Sequence, residues 1–214
     1  MAAQSDHLVL LGDSIFDNEV YVPGGTPVVD HVRRLLPRTW QTTLLAIDGN
    51  ITIDVVRQLL RLPQDATHLV VSVGGNDALQ ASGILLHPVV DAEELFRELT
   101  AVQGSFRADY REMLRAVTER NLPAVVCTIY DAIPGMQRWE LTALSIFNDT
   151  IIREAASFGV PLIDLRQICT QPGDYAAVSP IEPSTAGGLK IAAAVARVVQ
   201  QHDFRQRRAV IYTA

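Results

Sequence analysis

The sequence predicts a doubly wound parallel α/β sheet in a single domain. Short apolar runs of strand length alternate with amphipathic stretches of helical period along all 214 residues. Three of those runs end in glycine and small polar residues, as buried parallel strands do where the chain turns at their carboxyl ends. No internal repeat or linker divides the chain, and its length suits one well-buried domain better than two. The domain is expected over 1–214, with 1–6 and 203–214 as peripheral tails.

The first strand is the apolar run 8–11, with His7 ahead of it and Gly12-Asp13-Ser14-Ile15-Phe16-Asp17-Asn18 behind. A loop over 21–26 leads to a first helix, with Thr26 as N-cap and Pro27 at its first position. Val28, Val29, Val32, Leu35 and Leu36 follow at helical spacing, and Pro37 ends the helix. Residues 42–47 form the second strand, closed by Asp48-Gly49-Asn50. The stretch 51–62 has the period of an amphipathic helix capped by Asn50 or Thr52.

The third strand, 69–73, ends at Gly74-Gly75-Asn76-Asp77, and a short helix or turn follows. A long helical pattern over 91–121 is expected to break around Gln103-Gly104-Ser105. Residues 124–129 give the fourth strand, 138–158 a helix stopped by Gly159, and 161–165 a short fifth strand. The loop over 170–183 precedes the last helix, 185–201. Beyond it, the apolar run 209–212 is placed either as an edge strand or against a partner, including a second copy of the chain. Right-handed crossovers put helices on both faces of such a sheet.

Composition narrows the function classes. Hydrophobic residues at 48% and charged ones at 20% are ordinary for a globular protein. A net charge of −6 and a pI near 5.3 argue against a nucleic-acid surface. No run approaches the roughly 18 apolar residues of a membrane span. Residues 1–12 lack the basic start and cleavage pattern of a secretory signal, so a cytoplasmic location is the expectation. Cys127 and Cys169 are the only cysteines, and they show no metal-binding spacing; Cys127 reads as a buried core thiol.

The chemistry gathers at three strand ends: Gly12-Asp13-Ser14, Asp48-Gly49-Asn50 and Gly74-Gly75-Asn76-Asp77. In open α/β sheets ligands bind at that edge. Ser14 there reads as a nucleophile or as the cap of a following helix. Acyl transfer needs a nucleophile beside hydrogen-bond donors for the developing oxyanion. The Ser14 N–H, the Gly49 N–H and the Asn76 amide supply such a set, and Gly49 has no side chain to block the approach.

These three blocks resemble the first three sequence blocks of the SGNH (GDSL-type) hydrolases. That family comprises esterases, lipases, thioesterases and carbohydrate deacetylases on a flavodoxin-like, three-layer αβα sandwich. The resemblance implies a five-stranded sheet in the order 2-1-3-4-5, with no metal or organic cofactor. It implies Ser14 as nucleophile, with the Ser14 N–H, Gly49 and Asn76 as oxyanion hole, acting on a small-molecule ester or acylated substrate.

The fourth block departs from the family's Asp-x-x-His. Here the stretch reads Ser179-Pro180-Ile181-Glu182, which puts Glu182 at the histidine position and Ser179 at the aspartate position. His7, His31, His68 and His202 fall on or beside core elements, and His87 lies in a loop with some prospect of reaching the site. An ordinary glutamate, with pKa about 4.3, is roughly two units weaker as a base than histidine. Two units are about 2.7 kcal/mol, or roughly a hundredfold in rate. Burial raises a carboxylate's pKa and recovers much of that deficit.

Glu182 is therefore either the base or, more blandly, an acid at the start of the last helix, where Ser184 is the better cap. Asp13 and Asp77 are expected to hold the turns that carry Ser14 and Asn76. Asp17, Asp48, Asp131 and Asp174 are placed near the cleft, in caps and turns rather than in a specified metal site. Tyr21, Tyr130 and Trp139 are placed in the core or around an acyl or leaving-group pocket. Two functions follow: a serine acylhydrolase whose base is Glu182, or a catalytically impaired relative that binds an acyl or glycan ligand.

Overall fold

Strand β1 (His7–Gly12) is buried along its whole length because its side chains alternate between two cores. Leu8 and Leu10 pack on one face and Val9 and Leu11 on the other. Each such side chain contributes about 1.5–3 kcal/mol when fully buried. The computed structural model describes residues 6–86 and 91–213. Strands β2 (Gln41–Leu44), β3 (His68–Ser72), β4 (Ala124–Cys127), β5 (Leu162–Ile163) and β6 (Ile211–Tyr212) complete the sheet.

All pairings are parallel, in the order β2-β1-β3-β4-β5-β6. Helices α1 (Val28–Leu35) and α6 (Thr185–Gln201) cover the face of Leu8 and Leu10. The other face packs against α2 (Asp54–Gln58), α4 (Ala92–Thr118) and α5 (Arg138–Phe158). Helix α3 (Gly75–Ala81) follows β3 directly. The three-layer α/β fold is thus the expected one. Strand order reverses between β1 and β3, and a crevice opens at such a switch point. Among the described residues no helix is long and apolar enough to cross a membrane.

Several details depart from expectation. The sheet has six strands rather than five, because Leu162 N donates to Val210 O and Asp164 N to Tyr212 O along the free edge of β5. His7 lies inside β1 rather than ahead of it, and β2, β4 and β5 are shorter than expected. Helix α1 is not capped by Thr26: Pro27 takes the cap position, and Asn18 Oδ1 accepts from Val28 N at 2.9 Å.

Helix α2 is one short stretch followed by a 3-10 turn at Leu59–Arg61, without a side-chain cap. Thr52 instead donates through its N–H and hydroxyl to Asp77 Oδ2. Helix α4 runs unbroken through Gly104, where no neighbour requires the absence of a Cβ. Buried Phe106, Tyr110 and Met113 outweigh a glycine cost of about 1 kcal/mol.

Candidate active site

The turn that carries Ser14 is set by close approach of β1 to β3. Gly12 has φ of +123°, and a Cβ there would lie 1.8 Å from Ser72 O. Asp13 N donates to Ser72 O, and Phe16 N and Asp17 N both return to Asp13 O. The buried amide of Gln58 completes the turn: its Oε1 accepts from Gly12 N at 2.8 Å and its Nε2 donates to Gly12 O at 2.7 Å. Ser14 is left 6% exposed at the carboxyl edge of the sheet.

Gly49 occupies the third position of a turn closed by Asn50 N on Ile47 O, with φ of +79°. Asn76 stands in the first turn of α3, and its Nδ2 donates to Asn50 O at 2.9 Å. One such bond leaves a second amide hydrogen for another acceptor. Among the described residues, neither the Ser14 N–H nor the Gly49 N–H donates to any acceptor. Ser14, Asn76 and Glu182 line one cavity of about 230 Å³, and Gly49 is not in its wall.

Glu182 reaches this edge from the loop before α6. Ser14 Oγ donates to Glu182 Oε1 at 3.0 Å. The loop is pinned on every side: Ala176 N donates to Glu182 O, Glu182 N to Ser179 O, and Tyr130 OH to Ile181 O. Asn18 Nδ2 adds a bond to Pro183 O at 3.1 Å. Ser184 caps α6 by accepting from Gly187 N, so Glu182 has no capping duty.

Electrostatics at the site follow from burial. Glu182 is 5% exposed, and its Oε2 has no hydrogen-bond partner among the described residues. Burial pushes its pKa up to about 7; the Ser14 hydroxyl opposes the shift and the Asp48 charge adds to it. Burial also drives Asp13 well above the usual carboxylate range, against the Ile15 N–H and with help from Glu182 and Asp77. Tyr21 donates to Asp48 Oδ2 at 2.8 Å, and that bond lifts its phenol to about 12.

The remaining candidates separate. Asp13 Oδ1 accepts from Ile15 N and so holds the Ser14 turn, and Asp77 accepts from the Thr52 N–H and hydroxyl, tying α3 to the loop before α2. Asp174 pairs with Lys190, Asp17 accepts from Asp48 N, and Asp131 lies close enough to Arg166 and Asp164 to feel both charges. No described group of three or more His, Cys, Asp or Glu side chains is arranged to hold a metal ion.

Tyr130 lines the cavity, but Tyr21 does not, and Trp139 is 51% exposed and outside its wall. His7, His31, His68 and His202 are all outside the cavity wall, and His87 lies outside the described residues. Both cysteines are buried and free.

Two supporting residues escaped the sequence reading, Gln58 and Asn18. Gln58 carried a signal: it is a polar side chain on the apolar face of the 51–62 stretch, beside Val55 and Leu59.

A model of the GDSL-like lipase/acylhydrolase family matches residues 10–188. No curated protein matches the sequence at a significant level. Among solved structures, the lipase Lip_vut3 from a goat rumen metagenome is similar, with a TM-score of 0.72 and 16% identity over 93% of this chain and 99% of that one. A lipase/acylhydrolase from Enterococcus faecalis gives 0.65 at 20% identity, covering 91% and 95%. An acetyl xylan esterase from Geobacillus stearothermophilus gives 0.62 at 16% identity, covering 91% and 94%. At these identities the likeness is one of fold.

Proposed function

The chain belongs to the GDSL-like lipase/acylhydrolase family, and we propose that it hydrolyses carboxylic or thio esters through Ser14, with Glu182 in place of the usual histidine. One observation carries the reading: the 3.0 Å bond from Ser14 Oγ to a buried Glu182 carboxylate whose pKa is near 7. At that pKa the glutamate recovers the roughly hundredfold driving force that an ordinary carboxylate lacks.

In the first half-reaction Ser14 Oγ attacks the acyl carbon and passes its proton to Glu182 Oε1. The oxyanion that forms is held by the Ser14 N–H, the Gly49 N–H and the second Asn76 amide hydrogen. The unengaged state of both backbone donors supports this assignment. Collapse breaks the bond to the leaving group, which takes the proton from Glu182 and departs as an alcohol or thiol. Water then attacks the acyl-serine and gives a proton to Glu182; collapse releases the acid and returns that proton to Ser14 Oγ.

A fluorophosphonate probe tests the nucleophile. Labelling of the native protein that disappears in Ser14→Ala supports the reading; an unlabelled, ester-inert native protein that still binds an acyl or glycan ligand replaces it with the binding function.

A further inference from the structure

The cavity beside Ser14 runs between α3, the 3-10 turn at Ser82–Leu86, α4 and α5. Away from the serine its wall is carbon: Leu79, Leu85, Leu99, Val102, Ile133 and Phe147. Phe147 is backed by Phe106 at 4.8 Å and Phe106 by Tyr110 at 5.6 Å, so that wall is continuous with the core.

Away from the Ser14 end, the polar side chains in the wall each have a hydrogen-bond partner. Ser82 donates to Leu79 O, Thr128 to Asp164, and Tyr130 to Ile181 O, while Glu140 accepts from Gln137 N. A sugar needs several free donors and acceptors around it, and a bound hydroxyl without them loses its hydrogen bonds to water. Away from Ser14, Asn76 and Glu182, this wall offers little beyond one Glu140 carboxylate oxygen. A cavity of about 230 Å³ is also far larger than an acetyl group requires.

Resting on the reading of Ser14 as nucleophile, we propose that this cavity is the acyl site for an unbranched aliphatic chain of medium length. The substrate is then an ester of such an acid rather than an acetylated carbohydrate. The carbonyl sits at Ser14 and Asn76, and the chain lies between α3 and α5.

The test is kcat/KM for p-nitrophenyl acetate, butyrate and octanoate, beside an acetylated xylo-oligosaccharide. Each methylene buried is expected to raise kcat/KM about fourfold, the equivalent of ~0.8 kcal/mol. Octanoate is therefore expected to exceed acetate by at least about a hundredfold. Ala143→Phe on α5 and Ala81→Phe on α3 project rings into the cavity from two half-buried positions. Either one, if folded by circular dichroism, is expected to cut the octanoate-to-acetate ratio at least about tenfold.

A native preference for acetate or for the acetylated sugar, with ester turnover and probe labelling intact, overturns the acyl-site assignment alone. So does a folded variant whose ratio matches the native one. No turnover of any ester and no labelling overturns the serine reading and this inference with it.

Discussion

Asn18 Nδ2 donates to Pro183 O at 3.1 Å while its Oδ1 accepts from Val28 N at 2.9 Å. One fully buried amide thus joins the turn after Ser14, the start of α1 and the segment that carries Glu182. Asn18→Ala leaves a buried carbonyl and a buried N–H without partners. The expected loss is about 1–3 kcal/mol in urea unfolding. Because Ser14 and its proposed base lose their common anchor, kcat is expected to fall more than KM rises.

In the proposed mechanism Glu182 must be ionised to accept the serine proton, which fixes the direction of the pH–rate profile. kcat/KM is expected to rise with pH and level off above about 7, the value to which burial lifts Glu182. Glu182→Gln is expected to lose at least about a hundredfold in activity and the titration with it. A native profile with its limb near pH 4 contradicts the role given to Glu182.

The same group makes stability depend on pH. Its folded pKa lies above the unfolded value of about 4.3, so the folded state holds a proton that the unfolded state gives up. The contribution is complete below about pH 4.3 and is lost as pH rises through about 7, on the order of 3 kcal/mol in all. Urea unfolding across that range is expected to show a shallower decline in Glu182→Gln than in the native protein.

Glu154 on α5 has a fully buried carboxylate that accepts from Arg107 Nε at 2.6 Å and Arg111 Nε at 2.8 Å on α4. Both arginines are half exposed and regain water when the acid is removed. Glu154→Ala is therefore expected to cost about 2 kcal/mol, the worth of a charge-assisted pair plus lost packing, rather than the larger penalty of stranded buried charges. Differential scanning calorimetry reads it directly.

Gly12→Ala places a methyl 1.8 Å from Ser72 O at a φ that L side chains avoid. It is expected to cost more than about 4 kcal/mol and to leave little folded protein on expression.

The strands and the three polar strand ends were readable because burial on both faces and turn chemistry are local properties of the chain. Ser184 was recognisable as a cap for the same reason. What was not readable depends on distant partners. The cap of α1 comes from Asn18, in the preceding loop, and its second bond runs to Pro183. Helix α2 starts only at Asp54, after Thr52 has bonded Asp77. Strand β6 exists only because β5 has a free edge to offer. The cavity wall is assembled from at least five stretches far apart in the chain, so no one of them marks it in the sequence.

Ser14 and Glu182 stand 168 positions apart in the chain. Translation therefore delivers the proposed nucleophile, its turn and both proposed oxyanion loops long before the carboxylate. In the proposed mechanism the serine has no acceptor for its proton until the segment before α6 has emerged and docked. On that reading a nascent chain is chemically silent, and catalytic competence becomes a report that synthesis and folding have both reached their final stage.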